Sequence, residues 1–499
     1  MRAPTGNAAA LPPQQTGTEV GTAPKPSAHG RPASDWWIWA MAGALFFAYM
    51  ALSLRIHERL HSRSFDLGIF VQVVRSYASG QLPVSEVKGP DFPVLGDHFS
   101  PVLALLAPLY WLWPSVKVLL VAQAALVAGS VLPLAFWARR TVGSAAAAVI
   151  GTCYGLAWGI ASGVSSDFHE WAFALPLLTL SLTALADGRL RAAAYWSLPL
   201  LLVKEDLGLT VAAIGLLIAW RGGPGGRRTG LLTAAAGLVG SALALLVLSS
   251  FHPGGFDGYF LSHNPGSGAA DGPGNGSGGG AAELLHRFTL GLITPQEKVT
   301  TLILVLAPTL FLALRSPLVL VALPSVLWRL ASTYPDHWGT GYHYSLLLMP
   351  VVFVAFADAL RLRGARGRGP YRYLAGSAAV TMLLLPHFPL WQLVQPATWK
   401  DDPHVVAAHR VMDRIPDGAR VQASTYLLPH LADRTSVSLF GWGDSRPDPE
   451  WIIVDTTVAP HLRWPQSAIQ ESIALDRARS QGYRIEVQQD GLVLLNRRS

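Results

Sequence analysis

Long apolar runs alternate with short polar stretches from Trp36 to about residue 390, and after residue 400 the runs shorten and the rhythm changes. With roughly 20 residues per membrane-crossing helix as the guide, the apolar runs predict spans near 36–54, 115–138, 143–160, 171–186, 190–203, 207–221, 229–250, 299–314, 316–331, 343–360 and 372–390. That makes about eleven transmembrane helices. The segments 190–203 and 316–331 are short, so tilting, re-entry or fusion with a neighbour remains open for them. The first run is too long for a signal-peptide core and no small-residue cleavage site follows it, so it reads as an uncleaved anchor. Residues 1–35, rich in Pro, Ala, Gly and Thr without apolar periodicity, read as a disordered cytoplasmic tail.

Beyond about residue 400, short apolar runs at 419–424, 451–455 and 491–496 read as strands, the first two as buried parallel strands. Helices are expected near 403–414 and 467–481. Residues 399–499 therefore form a small α/β domain, large enough to fold alone. The expectation is an all-α polytopic membrane protein, 36–398, carrying this C-terminal domain. Within 251–298, a run of Gly, Ser, Pro and Asn cannot form a packed core and reads as a flexible insertion, with short interfacial helices at 256–260 and 283–288.

Composition strengthens the membrane reading: 51% of residues are hydrophobic and only 14% charged, too apolar for a soluble globule of this length. A net charge of +7 would point to nucleic acid in a soluble chain. Here the arginines fall in every second connection: Arg139 and Arg140, Arg189 and Arg191, Arg221, Arg227 and Arg228, Arg315, then Arg361 through Arg372. That is the cytoplasmic bias of the positive-inside rule, and nucleic acid is not an expected partner. It places the N-terminus in the cytoplasm and, by parity, the C-terminal domain outside, despite Arg410, Arg414, Arg420 and Arg434. One cysteine, Cys153, allows no intramolecular disulfide and no cysteine-based metal or redox centre.

The other connections carry Asp, Glu and His: Asp66, Glu86, Asp91, Asp97 and His98 in 55–98, Asp167, His169 and Glu170 in 161–170, Lys204, Glu205 and Asp206, and Asp336, His337 and His343. Ionisable groups at an apolar boundary are costly and often mark a reaction site or ligand path. From Asp66, apolar residues recur at helical spacing while Gln72, Arg75 and Ser76 take the other face, so 66–78 reads as an amphipathic helix in the interface plane. The Trp- and Tyr-rich stretch 101–113 also suits the interface.

Ser-Phe-Asp-Leu-Gly-Ile-Phe at 64–70, Gly-Asp-His-Phe-Ser-Pro at 96–101, Asp-Phe-His-Glu at 167–170 and Lys-Glu-Asp at 204–206 resemble the bacterial membrane family DUF2079, itself similar to GT-C glycosyltransferases that use polyprenyl-phosphate sugars. The resemblance covers about 36–460. It implies that Asp66 occupies the place of the essential acidic residue of GT-C enzymes, in the first external loop, orienting or deprotonating the acceptor. Such a transfer needs a carboxylate at the attacking hydroxyl and positive charge at the departing phosphate. Lys204, Arg63, His98, His169 and His343 are candidates for that charge, as is a divalent ion, Mg or Mn, held by Asp66, Asp97 and Asp167. Glu170, Glu205 and Asp206 complete the candidate substrate-binding set. The implied partners are a polyprenyl-phosphate sugar, a cell-envelope acceptor and membrane lipid.

Each residue has a plainer role open to it. Asp66 and Asp97 suit helix N-termini, the two histidines suit a satisfied interfacial position, Lys-Glu-Asp suits a solvated turn, and Tyr342, His343 and Tyr344 suit an aromatic belt. Function divides three ways. A glycosyltransferase explains the acidic loops; a transporter or lipid flippase would place polar groups at mid-membrane and often repeats its halves, and neither sign is present; a mere anchor would not need so many spans. The outer domain, without a phosphate loop or nucleophile constellation, reads as a lid or an acceptor-recognition module.

Overall fold

The computed structural model describes Met1 and residues 35–62, 65–255, 285–286, 288–332, 334–364 and 369–497. Arg63, most of the expected tail, the core of the Gly/Ser-rich insertion with its helix at 256–260, and Arg366 and Arg368 lie outside the described residues. Ile38–Ser499 is one compact unit.

Among the described residues, four helices are long and apolar enough to cross a membrane: α1 (Trp36–Glu58), Lys117–Thr141, Ser144–Ser165 and Gly223–Phe251. A fifth arises if Pro335–Ser345 and Leu348–Leu362, bent by 66° at their junction, count as one span. The expected eleven is therefore too many. The other apolar runs form shorter helices, Pro101–Leu112, Glu170–Ala186, Leu207–Arg221 and Pro317–Ala331. Proline accounts for much of this, because it withdraws a backbone donor and clashes with the preceding turn. Pro199 converts the run after Leu190–Ser197 into a 3-10 segment, Leu198–Leu202. Pro308 stops Gln296–Leu306, and the chain then turns through left-handed Leu310 and Phe311.

The C-terminal region forms a five-stranded sheet of β1 (Arg420–Ala423), β2 (Ser436–Leu439), β3 (Trp451–Asp455), β4 (Arg484–Gln489) and β5 (Leu492–Asn496), in the order β2-β1-β3-β5-β4. β1 is parallel to β2 and β3, while β5 is antiparallel to β3 and β4. The expected parallel pair, the closing strand, and the helices Pro403–Met412 and Ala468–Ser480 are present. The second helix starts at a capping box in which Ser467 and Gln470 exchange hydrogen bonds. β2 and β4 were not anticipated: β2 is four residues long and β4 is a polar edge strand.

This sheet does not stand alone. Helix α2 (Asp66–Ala78) packs against it, and Leu67, Phe70, Val71 and Val74 share one core with Leu428, Leu431, Val437 and Leu439. Burying each such side chain is worth about 1.5–3 kcal/mol. Gly68 permits the approach, since a Cβ there would collide with Leu428. The polar face of α2 is bonded too: Gln72 donates to the Val437 carbonyl at 2.9 Å and Arg75 to the Thr435 carbonyl at 2.9 Å. The polar residues of α2 that were expected to face water thus bond to protein instead. Arg446 completes the join, forking onto Glu86 at 2.7 and 2.7 Å and reaching Asp91 at 3.0 Å. In the 101–113 stretch, Leu105, Leu109, Trp111, Leu112 and Trp113 remain exposed.

Candidate functional site

The four sequence motifs close on one another. Asp66, at the start of α2, places Oδ2 3.4 Å from His169 Nε2. His169 stacks on His343 with centroids 3.5 Å apart, and Trp171 meets His343 edge-on. Lys204 donates to Glu170 Oε1 at 2.7 Å and lies over the Trp171 ring. His98 pairs through Nδ1 with Glu205 Oε1 at 3.1 Å, while the Phe99 amide donates to Glu205 Oε2 at 3.1 Å. The third motif thus links the first to the fourth, and the second is fastened to the fourth.

The orientation of His169 is fixed from behind. Asp167 takes a left-handed conformation, φ +64°, uncommon for a residue with a side chain. Gln123 donates to the Asp167 carbonyl at 2.6 Å and accepts from the His169 amide at 2.8 Å. Gln123 was overlooked in the sequence reading, although a lone amide inside the apolar run 117–129 is itself a signal.

A second overlooked residue is Lys88, whose Nζ lies 3.0 Å from Asp97 Oδ1 with 31% of its side chain exposed. Burial opposes the charge on Lys88, but Asp97, and then Asp66 and Asp444, raise its pKa above the ordinary lysine value. Lys88 therefore stays cationic in the field of Asp66. Arg329, also overlooked, is buried and donates to the His337 carbonyl and to Ser345 beside the histidine stack.

The electrostatics of the fourth motif divide its acids. Burial would raise Glu205, yet His98 and Lys204 hold it down at about 2. Burial and the neighbouring Glu205 push Asp206 up to about 6. Burial disfavours charged His98, but Asp97 and Glu205 more than offset this and raise it. For Lys204, Glu170, Glu205 and Asp206 overcome burial and raise it far above its usual value. Lys204 is a permanent cation already committed to Glu170.

Among the described residues no three His, Cys, Asp or Glu side chains are spaced to hold a metal ion. The expected Asp66, Asp97 and Asp167 cluster is not assembled, because Asp97 meets Lys88 and Asp66 meets His169. Asp66 keeps 38% of its side chain exposed, so a base-competent carboxylate faces an open surface with a histidine behind it and a lysine within its field. That arrangement can take a proton from a hydroxyl and oppose charge on a nearby anion.

The fold is similar to that of solved proteins. It matches the crystal structure of ArnT from Cupriavidus metallidurans bound to undecaprenyl phosphate, with a TM-score of 0.53 and 15% identity over 94% of this chain and 99% of that one. The apo state of ArnT from Cupriavidus metallidurans gives 0.52 and 13% over 93% and 98%. A fainter likeness, TM-score 0.46 and 12% identity over 93% and 74%, links it to the oligosaccharyltransferase AglB from Archaeoglobus fulgidus in complex with an inhibitory peptide and a dolichol-phosphate. No curated protein matches the sequence. The chain belongs to the DUF2079 family of predicted membrane proteins, whose model matches residues 56–494.

Proposed function

We propose that this protein is a multi-pass membrane glycosyltransferase that moves a sugar from a polyprenyl phosphate to a cell-envelope acceptor on the extracytoplasmic face. The observation that carries the reading is the half-exposed Asp66 carboxylate held 3.4 Å from His169 in a fold matching ArnT along nearly its whole length. The acceptor hydroxyl approaches Asp66, which accepts its proton as the oxygen attacks the anomeric carbon. The bond from that carbon to the polyprenyl phosphate breaks, and the phosphate leaves with the electron pair. His169, braced by Gln123 and His343, orients Asp66 and supports its change of charge. Lys88 supplies positive charge to the departing phosphate. Lys204 and Glu170, paired with each other, organise the loop that presents His169. The chain orientation, N-terminus cytoplasmic and sheet outside, belongs to the same proposal.

The test is release of polyprenyl phosphate by purified full-length protein in lipid nanodiscs, given a mixture of polyprenyl-phosphate sugars and an envelope extract from its own cells. Release that disappears in Asp66→Asn supports the proposal. Movement of intact donor between leaflets without release would instead make the protein a flippase.

A further inference from the structure

Beside Asp66 lies a feature the reaction above does not use. Phe65 stacks on Trp464 with centroids 4.8 Å apart and planes 8° from parallel, and Trp464 packs on Trp442 at 5.1 Å. The rings come from three separated segments: the residue before α2, the turn after β2, and the loop before Ala468–Ser480. Trp464 is 42% exposed and Trp442 38% exposed despite the stacking. Tryptophan is ordinarily well buried, so an open pair joined to a third ring is a mark of a binding surface.

The stack is built in place. Arg446, four residues beyond Trp442, clamps its loop to Glu86 and Asp91. Gly441, at φ +80°, lets Gln466 press against the backbone where a Cβ would collide, which brings the Trp464 loop alongside. The Trp464 carbonyl accepts from Thr425 at 2.5 Å. The inner ring is one residue from Asp66, a separation of about 3.8 Å between Cα atoms. The outer ring is two residues from exposed Asp444, whose charge reaches Lys88. Open aromatic surface bordered by a carboxylate and an ammonium suits a ring that presents C–H groups on its face and hydroxyls at its rim.

We propose that Phe65, Trp464 and Trp442 form a platform for a sugar ring, that of a saccharide acceptor, and that it sets the acceptor hydroxyl against Asp66. This rests on the glycosyl-transfer reading and assigns the C-terminal region its part in it. The acceptor is favoured over the donor sugar because the platform runs from Asp66, the base for the acceptor hydroxyl, onto the sheet region.

Two readouts on full-length protein in nanodiscs separate this inference from the parent reading. In the first, saturation-transfer NMR uses oligosaccharides released by mild acid from the envelope of the source cells. Transfer from aromatic protons to sugar protons is expected in the wild type, with affinity about tenfold weaker in Trp464→Ala and in Trp442→Ala and retained in Trp464→Phe. In the second, polyprenyl-phosphate release is followed against each substrate. An acceptor KM about tenfold higher in the alanine variants, with donor KM and kcat within about twofold, supports the acceptor assignment. A rise in donor KM alone overturns that assignment and gives the platform to the donor sugar. Sugar contact that is absent in the wild type, or unchanged in the variants, overturns the platform altogether; quenching of these tryptophans by brominated lipid would then place them at the membrane interface. Loss of sugar contact in the variants without any wild-type turnover would sink the transferase reading and leave the platform standing.

Discussion

Two acidic clusters in this molecule are built on opposite terms. Around Asp358, fully buried, both carboxylate oxygens are satisfied: Ser316 donates at 2.6 Å to one and Arg361 at 2.7 and 3.2 Å to the other, with Arg221 at 3.9 Å. Around Asp66 the accounts stay open. Glu170 Oε2, His169 Nδ1, His343 Nδ1 and Asp206 Oδ1 are buried and make no hydrogen bond to the described residues. Leaving such a group unsatisfied costs about 1–3 kcal/mol. A fully satisfied set suits architecture, and orphaned polar atoms around Asp66 suit contact with water or a ligand.

The contrast is broken most sharply by exchanging one atom in each cluster. Asp66→Asn should reduce transfer by about a thousandfold or more with the thermal midpoint unmoved. Asp358→Asn leaves its arginines facing a neutral group and should cost about 3–5 kcal/mol of stability, seen as a large drop in thermal midpoint. An inactive but stable Asp358→Asn beside an unstable Asp66→Asn would invert the account. Next in size, His169→Ala should lower kcat by about a hundredfold, because Asp66 loses the partner at 3.4 Å; a change in donor KM alone would give His169 a binding role. Lys88→Met should raise donor KM about tenfold, whereas a variant with unchanged donor KM would free Lys88 from the phosphate.

Much of this contrast was written in the sequence, and part of it was not. The four motifs that carry Asp66, His98, His169 and Lys204 stand out because charged residues interrupt apolar runs. Their mutual pairing, Lys204 with Glu170 and His98 with Glu205, depends on loops more than thirty residues apart and has no local signature. Lys88 was passed over because it sits in a polar loop, where a lysine costs nothing and signals nothing. Asp187 and Asp358 were missed for the reverse reason: each lies beside the arginines that mark the basic connections, and Asp187 pairs with Arg140 at 2.9 Å and accepts from Trp137 at 2.7 Å. Apolar β3 and β5 were readable, as was β1, where Val421 and Ala423 alternate with polar residues, while polar β4 and short β2 acquire their structure from neighbours. Helix α2 looked interfacial because its amphipathic pattern does not say whether lipid or a protein sheet covers it. The count of spans failed where prolines at 199 and 308 cut apolar runs too finely for a rule based on length.

The smallest effect concerns pH. Asp206 has a folded pKa of about 6 against about 3.9 in an unfolded chain. The folded state holds this proton more tightly, so its contribution to stability is present below about pH 4 and is lost as pH rises to about 6. The neighbouring Glu205, held at about 2, acts in the opposite sense and at lower pH. Asp206→Asn should therefore remove a fall of a few degrees in thermal midpoint between about pH 4 and 6. An unchanged profile would show that Asp206 is solvated as an ordinary carboxylate.

The most direct measurement of the central claim is native mass spectrometry of the protein released gently from its own membranes, reading the mass of the lipid it retains. The account predicts a polyprenyl phosphate or its sugar derivative, retained also by Asp66→Asn and weakened in Lys88→Met. Ordinary phospholipid alone, even after polyprenyl-phosphate sugars are added, would contradict it.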